Sequence, residues 1–290
     1  MDAPRRVAQE AFRGADGLTL VADVTGPEDG PCVVLLHGGG QTRQSWASTL
    51  RLIAASGRRV IAPDARGHGE SDRPASGEYT IRANADDLLA LLEQLPLRPV
   101  LVGASMGGLS AMRVIADKGC GVASGLALVD VTPTLNPKGT RRIREFMTSA
   151  PDGFAHVEAA ADAVAAYLPH RPRPKDLSGL LSNLRLGGDG RLRWHWDPRL
   201  LDHPQAEHER DRRRLERDLR GLVTPILLIR GAQSDVVDDK AYQHFLRAFP
   251  KAKVETVQGA GHMIAGDSNS QFNTAIVEFL DQVAPVARSA

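Results

Sequence analysis

The stretch that most limits the fold is Leu101-Val102-Gly103-Ala104-Ser105-Met106-Gly107-Gly108. It begins in the apolar, strand-type run Val100-Leu101-Val102 and passes straight into a segment with Leu109, Met112, Val114 and Ile115 at helical spacing. A strand that becomes a helix without a linker needs a very tight turn, and Gly103 and Gly107 leave room for it. Ser105 occupies the corner, held in strained backbone geometry with its hydroxyl aimed out at the mouth of a sheet. The pattern G-x-S-x-G is common by chance. A strand before it and a helix after it are what mark a nucleophile elbow, and both are present.

The rest of the chain has the rhythm of a parallel sheet. Val7 to Arg13 and Leu18 to Val24 read as two short strands around Ala15-Asp16-Gly17, where Asp-Gly supplies a hairpin turn. Cys32-Val33-Val34-Leu35-Leu36 is continuously apolar, as a strand covered on both faces must be. Trp46 to Ala55 has helical period, Arg59 to Ala62 is a strand, and Thr80 caps a helix through Leu95. Gly125 to Asp130, Thr224 to Arg230 and Lys253 to Val257 continue the strands, and a last helix runs from Ser270 to Val283.

Between Asp130 and Leu222 the rhythm stops. Eight prolines from Pro133 to Pro204, short helical patches and an Arg-rich run predict a helical insertion. From Glu207 to Arg220 acids and bases alternate at spacings that allow i,i+4 pairs, which predicts a solvated helix face. Arg171-Pro172-Arg173-Pro174 reads as a stiff connector.

Composition narrows the class of ligand. Lys and Arg total 36 against 35 Asp and Glu, so no global field favours nucleic acid or an anionic membrane, and the partner is expected to be a small molecule. Cys32 and Cys120 are far apart and lack metal-ligand spacing, so both are expected to be buried apolar residues. No apolar h-region follows the basic N-terminus and no run reaches membrane-span length, which predicts a soluble, cytoplasmic protein.

A serine hydroxyl is a weak nucleophile, so Ser105 requires a general base and a carboxylate to orient that base. Of nine histidines, His262 stands apart. It lies in Gln258-Gly259-Ala260-Gly261-His262, directly beyond the last strand, where a Gly-rich loop can carry the ring over the sheet's carboxyl edge. Asp130 and Asp235 each follow a strand and are the candidate acids. Asp235, which follows a strand and a short turn leading into a helix, is favoured, and Asp130 is left as a pocket or structural carboxylate; the resulting order Ser105, Asp235, His262 is that associated with this elbow. Asp238 and Asp239 read as the acidic first turn of a helix.

An oxyanion needs two donors. The Met106 amide at the helix start is one, and the glycines of His37-Gly38-Gly39-Gly40 offer the other, Gly39 first and Gly40 second. That stretch has neither a G-x-G-x-x-G register nor a Walker lysine, which argues against a phosphate loop. In Asp64-Ala65-Arg66-Gly67-His68-Gly69-Glu70-Ser71-Asp72, Asp64 and Arg66 are expected to lock a turn, with His68 held inside. Trp194 and Trp196 either wall a pocket or pack the insertion onto the core, and His37 is a further candidate pocket residue.

Taken together, these motifs resemble the α/β-hydrolase superfamily, in particular the serine branch with a helical cap that includes esterases, C–C bond hydrolases and cofactor-independent haloperoxidases. The resemblance spans the core from near residue 20 to 285. It implies an α/β fold with a mostly parallel, eight-stranded-type sheet flanked by helices. The core would comprise 1–131 and 221–290, with a cap at 132–220. Epoxide hydrolases and haloalkane dehalogenases of similar outline carry aspartate at the elbow, so Ser105 argues against both. The implied activity is hydrolysis of a small to medium carboxylic ester through an acyl-enzyme, without metal or cofactor, by a monomer or homodimer. The alternatives are C–C bond, lactone or thioester hydrolysis, perhydrolysis, and a ligand receptor on the same fold.

Overall fold

The chain opens with an antiparallel pair, Ala8–Arg13 (β1) and Thr19–Thr25 (β2), turned through Asp16 and Gly17 at φ of 56° and 76°. Cys32–Leu36 (β3), Ala47–Ala55 (α1), Arg59–Pro63 (β4), Ile81–Leu92 (α2), Val100–Ala104 (β5), Met106–Lys118 (α3) and Gly125–Val129 (β6) follow. An excursion then carries Pro137–Met147 (α4), Val157–Tyr167 (α5), Ser178–Leu181 (α6), Leu184–Leu186 (β7), Leu192–Trp194 (β8) and Gln205–Leu219 (α7). The chain returns through Ile226–Gly231 (β9), Asp239–Ala248 (α8), Lys253–Val257 (β10) and Ser270–Val283 (α9). This computed structural model describes residues 6–169, 173, 176–202, 205–221, 223–262, 264 and 270–286.

One eight-stranded sheet has the order β1-β2-β4-β3-β5-β6-β9-β10. The two pairings that involve β2 are antiparallel and the other five are parallel. Alternate side chains divide the core in two, as a period of two requires. Val34, Leu36, Leu101 and Leu128 face α2, α3, α7 and α8, whereas Val33, Leu35, Val102 and Val129 face α1 and α9. With helices on both faces, every residue of β3, β5 and β6 is buried, which accounts for their unbroken apolar runs.

Thr80 caps α2 as expected, accepting from the Ala83 amide at 3.2 Å. The helix ends at Leu92 rather than Leu95, because the last turns tighten (Gln94 N to Leu91 O at 3.0 Å, Leu95 N to Leu92 O at 3.1 Å) before Pro96.

Four further expectations are corrected. The excursion is not purely helical, since β7 and β8 pair antiparallel. Leu184-Arg185-Leu186 and Leu192-Arg193-Trp194 flank Gly187-Gly188-Asp189-Gly190, and this alternation about a glycine turn is a hairpin signal. Asp64 locks its turn by accepting from the Glu70 amide at 3.0 Å, but Arg66 takes no part in that lock. Arg66 forks onto Asp87 (Nε 2.6 Å, Nη2 2.8 Å), and Asp64 accepts from the Arg43 amide at 2.7 Å and pairs with the Arg43 guanidinium. Cys120 is exposed at the end of α3, and only Cys32 is buried. Finally, α7 is not wholly a solvated face. Arg210, Arg213, Arg214 and Arg217 are exposed, but Arg212, Leu215, Glu216 and Leu219 form one buried stripe. Of the 171–174 connector only Arg173 lies among the described residues.

Two sets of contacts fasten the excursion to the core. His195 Nδ1 accepts from the Gly69 amide at 2.8 Å, and the Asp197 amide donates to Gly67 O at 2.8 Å. Tyr79 Oη donates to Asp197 at 2.7 Å. On the other side Leu215 and Leu219 join the core cluster that contains Leu109 and Met112 of α3.

Candidate active site

The carboxyl ends of β3, β5, β6, β9 and β10 deliver the candidate residues to one edge of the sheet. Ser105 takes φ 45° and ψ −116°, a strained conformation for a residue with a Cβ. Crowding around the elbow explains its glycines. A Cβ on Gly107 would stand 2.6 Å from both Cβ and the carbonyl oxygen of Leu36, and one on Gly103 would stand 2.5 Å from Gly108 Cα. Only without those carbons can α3 begin against β3 and β5. The Ser105 amide donates to Val129 O at 3.3 Å and Gly107 N to His37 O at 3.2 Å, which ties the elbow to both neighbouring strand ends.

Met106 opens α3, so its amide points out from the positive end of the helix. Among the described residues neither this amide nor that of Gly39 has a hydrogen-bond partner. Gly40, the second choice for the oxyanion, differs: its amide donates to His68 Nε2 at 3.1 Å. The glycine loop is braced from beneath by His37, whose Nε2 accepts from Ala65 N at 2.9 Å while Nδ1 donates to Gly38 O at 2.8 Å.

His262 makes its Nδ1 contact with Asp130, at 2.7 Å from Oδ2, and not with Asp235. Asp130 is wholly buried and also accepts from the Gly231 amide (3.0 Å) and Ser234 Oγ (2.5 Å). Like Ser105 it has a positive φ, 47°, at the end of its strand. The expectation for Asp235 fails because Ser234 Oγ accepts from the amides of Val236 (3.2 Å) and Val237 (3.0 Å), a turn in which residue 234 faces Asp130. Asp235 instead binds Arg142 of α4 at 2.9 Å, with its side chain 40% exposed. Asp238 caps α8 by accepting from the Ala241 amide at 2.8 Å.

Ser105, Met106, Gly39 and His262 all line one cavity of about 690 Å³ between the sheet edge and the excursion. Trp194 and Trp196, stacked with ring centroids 5.0 Å apart, form part of its wall. His37 and Asp130 are not among its lining residues. His37, His68 and His195 form a buried group beside it, with centroids 5.1 Å and 5.8 Å apart in sequence order. Burial lowers the pKa of all three, that of His195 to about 4, and positive charge on His37 would further oppose charging of His68 and His195. No group of three or more His, Cys, Asp or Glu side chains placed to hold a metal occurs among the described residues. No described helix is long and apolar enough to cross a membrane.

The family model for the alpha/beta hydrolase family matches residues 33–275. The chain belongs to this family. Among alpha/beta hydrolases it is 32% identical to the mouse sn-1-specific diacylglycerol lipase ABHD11 over 86% of this chain and 81% of that one. It is 30% identical to the esterase Rv0045c of Mycobacterium tuberculosis over 82% of this chain and 78% of the relative. The solved structure of that esterase superposes with a TM-score of 0.73 at 27% identity, covering 98% of this chain and 93% of that one. An alpha/beta hydrolase from Novosphingobium aromaticivorans superposes with a TM-score of 0.80 at 25% identity, covering 98% and 100%.

Proposed function

We propose that this alpha/beta hydrolase is a serine esterase that cleaves a small to medium carboxylic ester through an acyl-enzyme. The observation that carries the reading is that Ser105 and His262 face one cavity while His262 Nδ1 is held by Asp130. Ser105 Oγ attacks the ester carbonyl as His262 Nε2 takes its proton, and buried Asp130 fixes the tautomer and stabilises the imidazolium. The amides of Met106 and Gly39 receive the negative charge on the tetrahedral oxygen. His262 then gives the proton to the departing alcohol, and water repeats the sequence on the acyl-enzyme. Asp130 takes in this scheme the place the sequence offered to Asp235. The cavity volume lies within the range of about 300–1,000 Å³ usual for small-molecule sites, in keeping with a substrate of modest size.

Fluorophosphonate labelling followed by intact mass, with p-nitrophenyl esters from acetate to long chains, tests the reading. Stoichiometric labelling that disappears in Ser105→Ala, together with turnover of short esters, is the expected result. Labelling without ester turnover would move the assignment to C–C bond hydrolysis or to ligand reception on the same fold. Absence of labelling would remove the nucleophile.

A further inference from the structure

Arg212 is 8% exposed, lines the cavity that holds Ser105, and has neither an ion pair nor a hydrogen bond among the described residues. It sits on the buried stripe of α7 one turn before Leu215, where an apolar residue would complete the packing. None of its described neighbours forms an ion pair with it. Glu216 is already engaged by Arg220 (2.7 Å), His244 (2.8 Å) and Thr134 (3.0 Å). Glu209, one turn back, attracts the guanidinium without forming an ion pair. Burial lowers the Arg212 pKa, yet a guanidinium remains protonated in proteins, so the free protein keeps an unpaired positive charge facing the cavity. Burying an unpaired charge is unfavourable, and a ligand anion would relieve the penalty.

We propose that Arg212 binds a carboxylate carried by the substrate, so that the cavity selects an ester whose acyl or alcohol part bears one negative charge. The inference rests on the reading of this cavity as the one in which Ser105 acts. Among the described lining residues Arg212 is the one Lys, Arg, Asp or Glu, and Ile143, Val164, Leu168 and Leu180 make much of the remaining wall apolar. A single cation matches a monoanion, and the planar fork of guanidinium matches a carboxylate through two parallel bonds. A phosphate dianion would retain an uncompensated charge.

The test uses binding, which does not depend on turnover. Monomethyl and dimethyl esters of the diacids from succinate to suberate are titrated calorimetrically into Ser105→Ala protein at neutral pH. The monoester anion of the best-fitting length is expected to bind about tenfold or more tightly than its diester, the size of a charge-assisted hydrogen bond. Arg212→Gln in the same background should abolish the preference and Arg212→Lys should retain part of it. Equal binding of the two esters, no monoester binding at any length, or a preference that survives Arg212→Gln overturns the proposal. Arg212→Met in the otherwise native chain should leave Tm unchanged or raise it, because no pair among the described residues is broken. A clear fall in Tm would make the arginine structural and overturn the proposal as well. Turnover of the same esters by the native protein reports separately on hydrolysis: a preference in binding without turnover removes the esterase reading and leaves the carboxylate site standing.

Discussion

His262 reaches past the end of β9 to Asp130, the residue after β6: Nδ1 lies 2.7 Å from Oδ2, and that same oxygen accepts from Ser234 Oγ at 2.5 Å. The carboxylate therefore has a fixed orientation before any ligand arrives. Its partners come from two different loops, so neither loop alone determines the ring's position.

Asp130→Asn should lower kcat by about 10³–10⁴-fold, because an amide at this place favours the wrong imidazole tautomer. Asp235→Asn should leave kcat within about threefold, since its Arg142 partner lies in α4 and exposed pairs of this kind contribute about 0–1 kcal/mol. Steady-state kinetics on the best p-nitrophenyl ester separates the two. Similar losses from both variants would contradict the assignment of the acid.

Ser234→Ala removes one bond to a buried carboxylate and the acceptor for two amides, so a stability loss of about 1–3 kcal/mol is expected. A fall in kcat smaller than that of Asp130→Asn should accompany it. Chemical denaturation and kcat measured on the same preparation test both.

Gly107→Ala places a methyl carbon 2.6 Å from the Leu36 carbonyl oxygen and Cβ, both part of a sheet strand that cannot yield easily. Overpacking of this type costs about 1–3 kcal/mol, so Tm should fall by several degrees. Activity should fall more steeply than stability, because the displaced helix carries the Met106 amide. A variant with native Tm and turnover would show that α3 can shift freely.

Acid should destabilise the fold in a window set by its buried histidines. The folded-state pKa of His37, His68 and His195 lies below the usual 6.5, so on acidification the unfolded chain binds protons first. Stability is thus full above that value and declines as pH falls toward about 4, where folded His195 also begins to charge. Each such histidine adds at most about 1.4 kcal/mol per pH unit to the slope. Urea midpoints from pH 7.5 to 4.5 should trace this decline, and His195→Gln should make it shallower. A flat profile would mean that the three rings are more accessible to water than their burial indicates.

The elbow at Ser105, the strands from β3 to β6 and the closing helix α9 were legible because strand and helix periods, glycines and caps are local signals. The partner of His262 was not legible. Two aspartates follow strands, and the choice between them depends on which way the Ser234 turn faces, a consequence of side-chain hydrogen bonds that spacing does not encode. Arg212 was hidden for a related reason. In a run of alternating charges every position looks solvated until the helix is laid against Leu109 and Met112, and only then does one stripe turn inward. The hairpin of β7 and β8 did carry its signal in sequence, but the prolines around it favoured an irregular helical reading.

Because β6 and β9 are neighbours in the sheet, the whole excursion leaves and re-enters the core at a single seam, and Gly231 N bound to Asp130 Oδ1 at 3.0 Å closes that seam below it. The excursion that contributes much of the cavity wall is thereby one continuous insertion, and none of its residues holds the acid. Lineages could replace, lengthen or exchange the segment above the seam, and so acquire new ligands, while inheriting the charge arrangement beneath it intact.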